Sequence, residues 1–400
     1  MTYYSSLRHF LNLFALSTLA GAQDLEVPLA GPPSGFNEPA SFGGLGLTEA
    51  LTGLSYGLTT SIAYDSNVRG SAPLLGSEQG DTIMTISPTI RYSDPGGDFT
   101  FGGSFAMNYS TYFSNSDLGG LGYSTSLNAG YKGGRFRLQG TFSSSLRQGT
   151  NTNYNNSYAE TLSFNTGLSL DYTLSPKTSI SSRFNYGWSD PSNGTFSTTH
   201  NLGFDIAALW RATPLTSFGP GVAWSQSGGG NTPDRSTVGP ILRVNYKLSR
   251  KVSMDGTFGM QFVDSGGAGS QDGSFTTSLG VNYRASSLWG MNLSVYKGTT
   301  ANGGIGGGYR DSTNVRLGYN HRIRRASLAL GMGYETSDVS GGGGAAGRDQ
   351  TNYNWDASLG MPVFYNRANA SIFYRWRSGS GGNGNAINGY NCGVSLSTSF

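Results

Sequence analysis

The sequence predicts an all-β chain: a transmembrane up-and-down antiparallel β-barrel of about eighteen strands, with sixteen as the alternative count. Three observations predict it. Apolar and small polar residues alternate from Leu54 to the last residue, short and long connections take turns between the alternating segments, and the chain is poor in charge without being rich in apolar residues. The stretch "DFTFGGSFAMNYSTYF" (98–113) is typical: Phe99, Phe101, Phe105, Met107, Tyr109 and Phe113 fall on one set of alternate positions, with Thr100, Gly102, Ser104, Ala106, Asn108 and Ser110 on the other. A strand sends successive side chains to opposite faces, so such a segment has one oily face and one face of small polar groups.

Composition supports this class. Charged residues make up 12% of the chain, against about 25% in soluble domains. Mean hydropathy is nevertheless negative, at -0.30, and no stretch after the N-terminus reaches the roughly 18 apolar residues of a membrane-spanning helix. Abundant Gly, Ser, Thr and Asn with spaced aromatics instead fit many strands joined by turns.

The N-terminus predicts a compartment. After Arg8 and His9 comes the apolar run "FLNLFALSTLA" (10–20), and "AGA" (20–22) fits a small-x-small cleavage site. Residues 1–22 therefore read as a secretory signal peptide. Residues 23–50, with "EVPLAGPPSGFNEPASFGGLG", read as a Pro/Gly-rich periplasmic leader, and 51–400 as the barrel. Without residues 1–22 the chain holds 25 basic and 23 acidic side chains, a net +2, with no basic block; nucleic acid is not an expected partner. The single Cys392 excludes an intramolecular disulfide framework.

Along 51–400 the expected short turns are "SDPGG" (93–97), "KGG" (132–134), "LSPK" (174–177), "LSRK" (248–251), "ASS" (285–287), "IRR" (323–325) and "FYNR" (364–367). Between them lie expected long loops, among them 67–80, 149–158, 225–234, 264–273, 337–349 and 378–386. Tight turns at one rim and long loops at the other describe an up-and-down barrel. Pro220 and Pro240 weaken the count, because proline inside a paired strand removes a donor. Aromatics such as Tyr64, Tyr92, Tyr131, Trp188, Trp210, Trp224, Tyr283, Trp289, Tyr334, Trp355 and Trp376 sit toward segment ends, as in the paired girdles of a lipid-embedded barrel. A backbone in hydrocarbon must satisfy its own hydrogen bonds, which leaves a closed barrel in a bacterial outer membrane as the expected form. The expected partner of its oily face is outer-membrane lipid.

The terminal segment "YNCGVSLSTSF" places Tyr390, Val394, Leu396 and Phe400 on one phase with Phe400 last. It resembles the C-terminal signal read by the barrel-assembly machinery of outer-membrane proteins. "TTSIAYDSNV" (59–68), "GDTIMTISPTIRYSD" (80–94) and "FTFGGSFAMNYSTYFSN" (99–115) resemble the opening of the beta-barrel porin type 2 family. The shared features are Tyr64, Asp65 and Asn67, Ser87 and Pro88, and the aromatic third strand; the rest of the chain is similar in texture only. The resemblance implies an outer-membrane, porin-like protein, some relatives being associated with exopolysaccharide systems, and carries no catalytic residues.

Catalytic and metal signatures are sparse. His200 and His321 have no partner at metal-ligand spacing, and the glycine runs at 303–309 and 341–344 lack the Lys-Ser/Thr ending of a phosphate loop. No "GxSxG" elbow stands in a strand-turn-helix context. No cofactor is expected. Cys392 falls on the oily phase, where a thiol acts as a small apolar group.

Charge carries more information. The interior phase holds Arg91, Arg135, Arg137, Arg147, Arg183, Arg211, Arg243, Lys247, Arg284, Arg316, Arg322, Arg375 and Arg377, against the acids Asp171, Asp205, Asp255, Glu335 and Asp356. A cationic lumen favours anions; the same arginines could equally pair with acids to stiffen the wall. The long loops are expected to hold Glu78, Asp81, Asp117, Asp190, Asp234, Asp264, Asp272, Asp311, Asp338 and Asp349 as solvating charge. Three classes remain open at this point: a porin-like channel for passive diffusion of small polar solutes or for saccharide-linked export, a non-conducting structural or adhesive barrel acting through Gly-rich loops, and an outer-membrane hydrolase.

Overall fold

The computed structural model describes residues 53–400 apart from 69–79, 95, 152–156, 192–196, 230–231, 265–272, 302–308, 341–347, 366 and 381–385. The signal peptide and the leader expected over 1–50 lie outside the described residues, as do Glu78 and Asp272. Eighteen strands follow one another: β1 (Leu54–Asp65), β2 (Asp81–Asp94), β3 (Phe99–Tyr112), β4 (Gly120–Gly133), β5 (Phe136–Asn151), β6 (Ser157–Ser175), β7 (Thr178–Pro191), β8 (Thr199–Thr213) and β9 (Thr216–Gly229). The second half continues with β10 (Thr232–Tyr246), β11 (Val252–Asp264), β12 (Gly273–Arg284), β13 (Trp289–Ala301), β14 (Tyr309–Ile323), β15 (Ala326–Ser340), β16 (Arg348–Val363), β17 (Ala368–Ser380) and β18 (Ala386–Ser399). A 3₁₀ turn, Ser116–Leu118, lies between β3 and β4.

Each strand pairs antiparallel with its neighbours in sequence, and β1 closes on β18 from Gly57↔Ser399 to Asp65↔Asn391. The backbone of Tyr56 exchanges two hydrogen bonds with Phe400, at 3.0 and 2.8 Å, which seals the ring at its last residue. A closed sheet has no edge, so every ladder group can be satisfied away from water.

The short turns have a chemical basis. Ser175, Ser249 and Ser286 each accept backbone N–H bonds from residues two and three positions on, at 3.0 to 3.3 Å. Thr213 does the same for the N–H of Leu215, which makes Pro214–Leu215 an eighth tight turn that the sequence reading passes over. Both chain ends of the barrel lie on the short-turn side, which is the periplasmic side in barrels of this type.

On the opposite side the strands run into segments expected as loops. β9 and β10 consume all of 225–234 except 230–231, and Asp190, Asp234, Asp311, Asp338 and Asp349 lie in strands. Asp81 is also not a loop residue. It opens β2, buried, and accepts from the backbones of Ser114 and Asn115 at 2.7 to 3.0 Å.

The prolines settle the strand count at eighteen. The N–H and C=O of one strand residue point to the same neighbour, so a proline interrupts one ladder and leaves the other whole. Pro220 stays opposite Leu242 of β10, while the β8–β9 ladder skips from Ala207↔Gly221 to Trp210↔Phe218. Pro240 stays opposite Val222, while β10–β11 skips from Val238↔Phe262 to Ile241↔Gly259. Pro88 stays opposite Leu58, while β2–β3 skips from Ile86↔Tyr109 to Thr89↔Ala106.

The cross-section departs from a circle. β13 comes within 8 Å, Cα to Cα, of both β8 and β9 across the interior. In a round eighteen-strand barrel of about 36 Å diameter, strands four positions apart stand about 23 Å from each other.

Candidate functional site: a two-faced wall and its inner charges

Cross-strand partners share a face, so the pairing fixes which side chains look outward. Tyr64 stands opposite Cys392, Ile62 opposite Val394 and Thr60 opposite Leu396 on the outer face. Tyr390 joins them, its ring 6.0 Å from Tyr64 and 6.2 Å from Tyr374. The oily phase of every strand is outward in the same way, and its Leu, Ile, Val, Phe, Tyr, Trp and Met side chains are exposed or half-buried rather than packed in a core.

Aromatic rings collect at two levels. Near the turns Phe136 meets Tyr172 at 4.7 Å, Trp210 meets Phe218 at 5.6 Å, and Trp289 meets Tyr283 and Tyr319 at 5.5 and 6.0 Å. Near the far ends Phe164 meets Trp188 at 5.3 Å and Tyr334 meets Tyr353 at 5.2 Å. From Tyr56 to Tyr64 along one tilted strand the rise is about 20 Å, close to the apolar band of an outer-membrane barrel. An exposed oily belt of this height between two girdles is the outer surface of a membrane-spanning barrel wall.

On the inner phase the structure places Arg91, Arg137, Arg147, Arg183, Arg211, Arg243, Arg284, Arg316, Arg322, Arg375 and Arg377, with Asp171, Asp205, Asp255, Glu335 and Asp356. Lys247 continues the inner phase of β10, its N–H bonded to the carbonyl of Leu215 at 2.7 Å. Arg135 is a correction: it lies in the two-residue turn between β4 and β5, because Gly134 at φ +50° turns the chain there, and so it decorates the rim instead of the wall.

The inner charges fall into three groups. The first is a rim of lumen-side cations at the turn end: Arg91, Lys132, Arg137, Arg211, Lys247, Arg284 and Arg322, all exposed. Asp171, opposite Arg137, and Asp255, two positions above Lys247 in the β10–β11 register, are the inner-phase acids beside it. The second is a mid-wall lock. Arg243, 1% exposed, donates to Ser181 Oγ at 2.7 Å and forms an ion pair with Asp205, reaching from β10 to β8 and β7.

The third lies at the outer mouth. Arg310 Nη2 meets Glu335 Oε1 at 2.6 Å, both buried. Arg377 holds Asp65 at 3.3 Å and donates to the Asn67 carbonyl at 2.7 Å, and Asp65 accepts the Asn67 N–H at 2.8 Å. The Tyr64-Asp65-x-Asn67 signature thus forms a turn clamped to β17. Sequence reasoning missed Arg310, Arg235 and Lys132 as inner residues. Lys132 is followed by two glycines and Arg310 comes two residues after a run of three, and glycines give alternation no phase.

His200 faces outward and contacts Asp234 at 3.3 Å. His321 accepts or donates at Nδ1 to the Tyr319 hydroxyl, 2.9 Å away. Among the described residues no group of three or more His, Cys, Asp or Glu is arranged to hold a metal.

The closed sheet, the outward oily belt and the polar interior define the class: a bacterial outer-membrane β-barrel. No family model matches the chain, and neither does any curated protein sequence. Among solved structures it is similar to the outer membrane protein OpdK of Pseudomonas aeruginosa, at 11% identity over 88% of this chain and 100% of that one, with a TM-score of 0.41. It is also similar to OccAB4 of Acinetobacter baumannii, at 12% identity over 88% and 99% with a TM-score of 0.42. The siderophore receptor PirA of Pseudomonas aeruginosa is likewise 12% identical over 86% and 80%, with a TM-score of 0.42. At these values the class rests on the chain's own wall, and the likenesses assign no solute.

Proposed function

We propose that the protein is an outer-membrane channel for small polar solutes that favours anions. The observation that carries this reading is the rim of seven lumen-side cations at the periplasmic mouth, with Asp171 and Asp255 as the inner-phase acids nearest to it. Rings of fixed charge raise the local concentration of counter-ions and bias what passes. The resemblance of residues 59–115 to the porin type 2 family supports a porin-like role and extends the solute class to acidic saccharides leaving the cell. The terminal segment, with Tyr390, Val394, Leu396 and Phe400 outward, is the part that the assembly machinery would read. Flow through such a passage needs no catalytic group, and the chain is read as a channel rather than a hydrolase.

Reversal potentials in planar bilayers across a potassium chloride gradient test the reading. Anion preference is expected, and Lys132→Glu with Arg137→Glu should shift it toward cations. A silent protein would favour a structural or surface-binding barrel, and a cation-selective wild type would sink the charge argument.

A further inference from the structure

Pro220 and Pro240, within β9 and β10, both follow a glycine, and both Gly-Pro pairs sit where the wall folds. At Gly219 the carbonyl oxygen of Ala208 in β8 occupies the place a Cβ would take, and at Gly239 the carbonyl oxygen of Met260 in β11 does the same. These are the two sides on which Pro220 and Pro240 interrupt their ladders. In a gently curved sheet a Cβ stands clear of the next strand's carbonyls. Here the missing ladder bonds release β8 and β11, and the bare glycines let them fold inward. The strip β9–β10 becomes a narrow end with a sharp corner on each side.

Two further observations show the walls drawn together. β13 lies within 8 Å of β8 and β9, closer than the ~10 Å of ordinary facing sheets. Small residues permit this: the inner phase carries Gly203, Ala207, Gly221 and Ala223 on one wall and buried Gly298, next to the inner-phase Tyr296, on the other. Ala207, Leu209 and Ile241, all inner-phase, are buried, and Arg243 spans the fold to Asp205 and Ser181.

We propose that the two Gly-Pro creases and the Arg243 lock form a dry seam that closes the β9–β13 side of the lumen and thereby sets the size limit of the passage. This rests on the channel reading above. The remaining passage is bounded by β13 to β18 and β1 to β8. A ring of those fourteen strands has a backbone diameter of about 28 Å, against about 36 Å for eighteen. With about 5 Å of side chain projecting from each wall, the open area falls to roughly half. Arg243, Gly219 and Gly239 are then size-determining residues that touch no solute.

Arg243→Ala, and separately Gly219→Val with Gly239→Val, should raise single-channel conductance by about twofold and admit larger uncharged polymers, as the open area requires. Unchanged conductance and cut-off in both variants would overturn the proposal. Because the valine pair can fail to fold, a second measurement uses the native wall. In a Cys392→Ser background, nitroxides at Val222→Cys and Val295→Cys report the β9–β13 separation, and Ile90→Cys with Leu359→Cys reports a control pair also four strands apart. The seam predicts a mean distance at least about 10 Å shorter for the first pair, since a round ring makes the two equal. Equal distances overturn the seam whether or not the protein conducts. A short distance in a barrel that never conducts upholds the seam and refutes the channel reading together with the size-limiting role.

Discussion

Replacing Arg310 by methionine should destabilise the barrel by about 3 kcal/mol, the lower end of the 3–5 kcal/mol range for breaking a buried pair. Arg310 and Glu335 meet at 2.6 Å with side chains only 4% and 10% exposed, so neither charge reaches bulk water. The substitution leaves the Glu335 carboxylate with Asn314 and Asn352 opposite it. Arg316, opposite Gly333 and therefore diagonal to Glu335, supplies a second cation and keeps the loss at the lower end. Arg310→Met with Glu335→Leu removes both charges and should return to within about 1 kcal/mol of wild type. Urea unfolding in detergent micelles, followed by tryptophan fluorescence, measures Arg310→Met, Glu335→Leu and the double variant as a cycle. The coupling should survive 1 M salt, because buried pairs are weakly screened. Additive single losses would refute the reasoning.

Other expectations are equally direct. Asp81→Ala removes the acceptor for Ser114 and Asn115 and should open the β3–β4 connection to chymotrypsin at Phe113 or Leu118; unchanged protection would contradict the anchoring role. In lipid vesicles Cys392 should react with an apolar maleimide and resist a charged thiosulfonate, since it faces outward opposite Tyr64 and Tyr374; fast reaction with the charged reagent would reverse the facing. Phe400→Ser keeps the backbone bonds to Tyr56, so the folded barrel should lose no more than about 2 kcal/mol, the scale of one apolar side chain. The same variant should cut the yield of heat-modifiable barrel in the outer membrane several-fold.

Alternation made most of this wall legible. In β3, β6, β8 and β11 the period of two names both faces without ambiguity, and the inner charges Asp171, Asp205, Arg211 and Asp255 follow from it. Reading failed where small residues erase the period. Strand ends rich in Gly and Ser, such as 225–229 and 337–340, look like loops, yet the ladder continues because backbone pairing needs no side chain. Arg310 is hidden by the glycines before it. The turn at Pro214–Leu215 has no glycine to announce it and is held by Thr213 instead. The Gly-Pro pairs read as breaks in weak strands. Their actual effect, a fold of the wall with one ladder intact, depends on which neighbour each N–H would have faced, and that is a property of register.

The ring is sealed by its most distant partners in sequence. Every other pairing joins consecutive strands, while Gly57 must find Ser399 across the whole intervening chain. Bringing such ends together costs about 5 kcal/mol of loop entropy. The last strand must therefore be in place before the ring can close. Without β17 and β18 the sheet would expose two raw margins, β1 and β16, to hydrocarbon, so the ring is all-or-none in its strands.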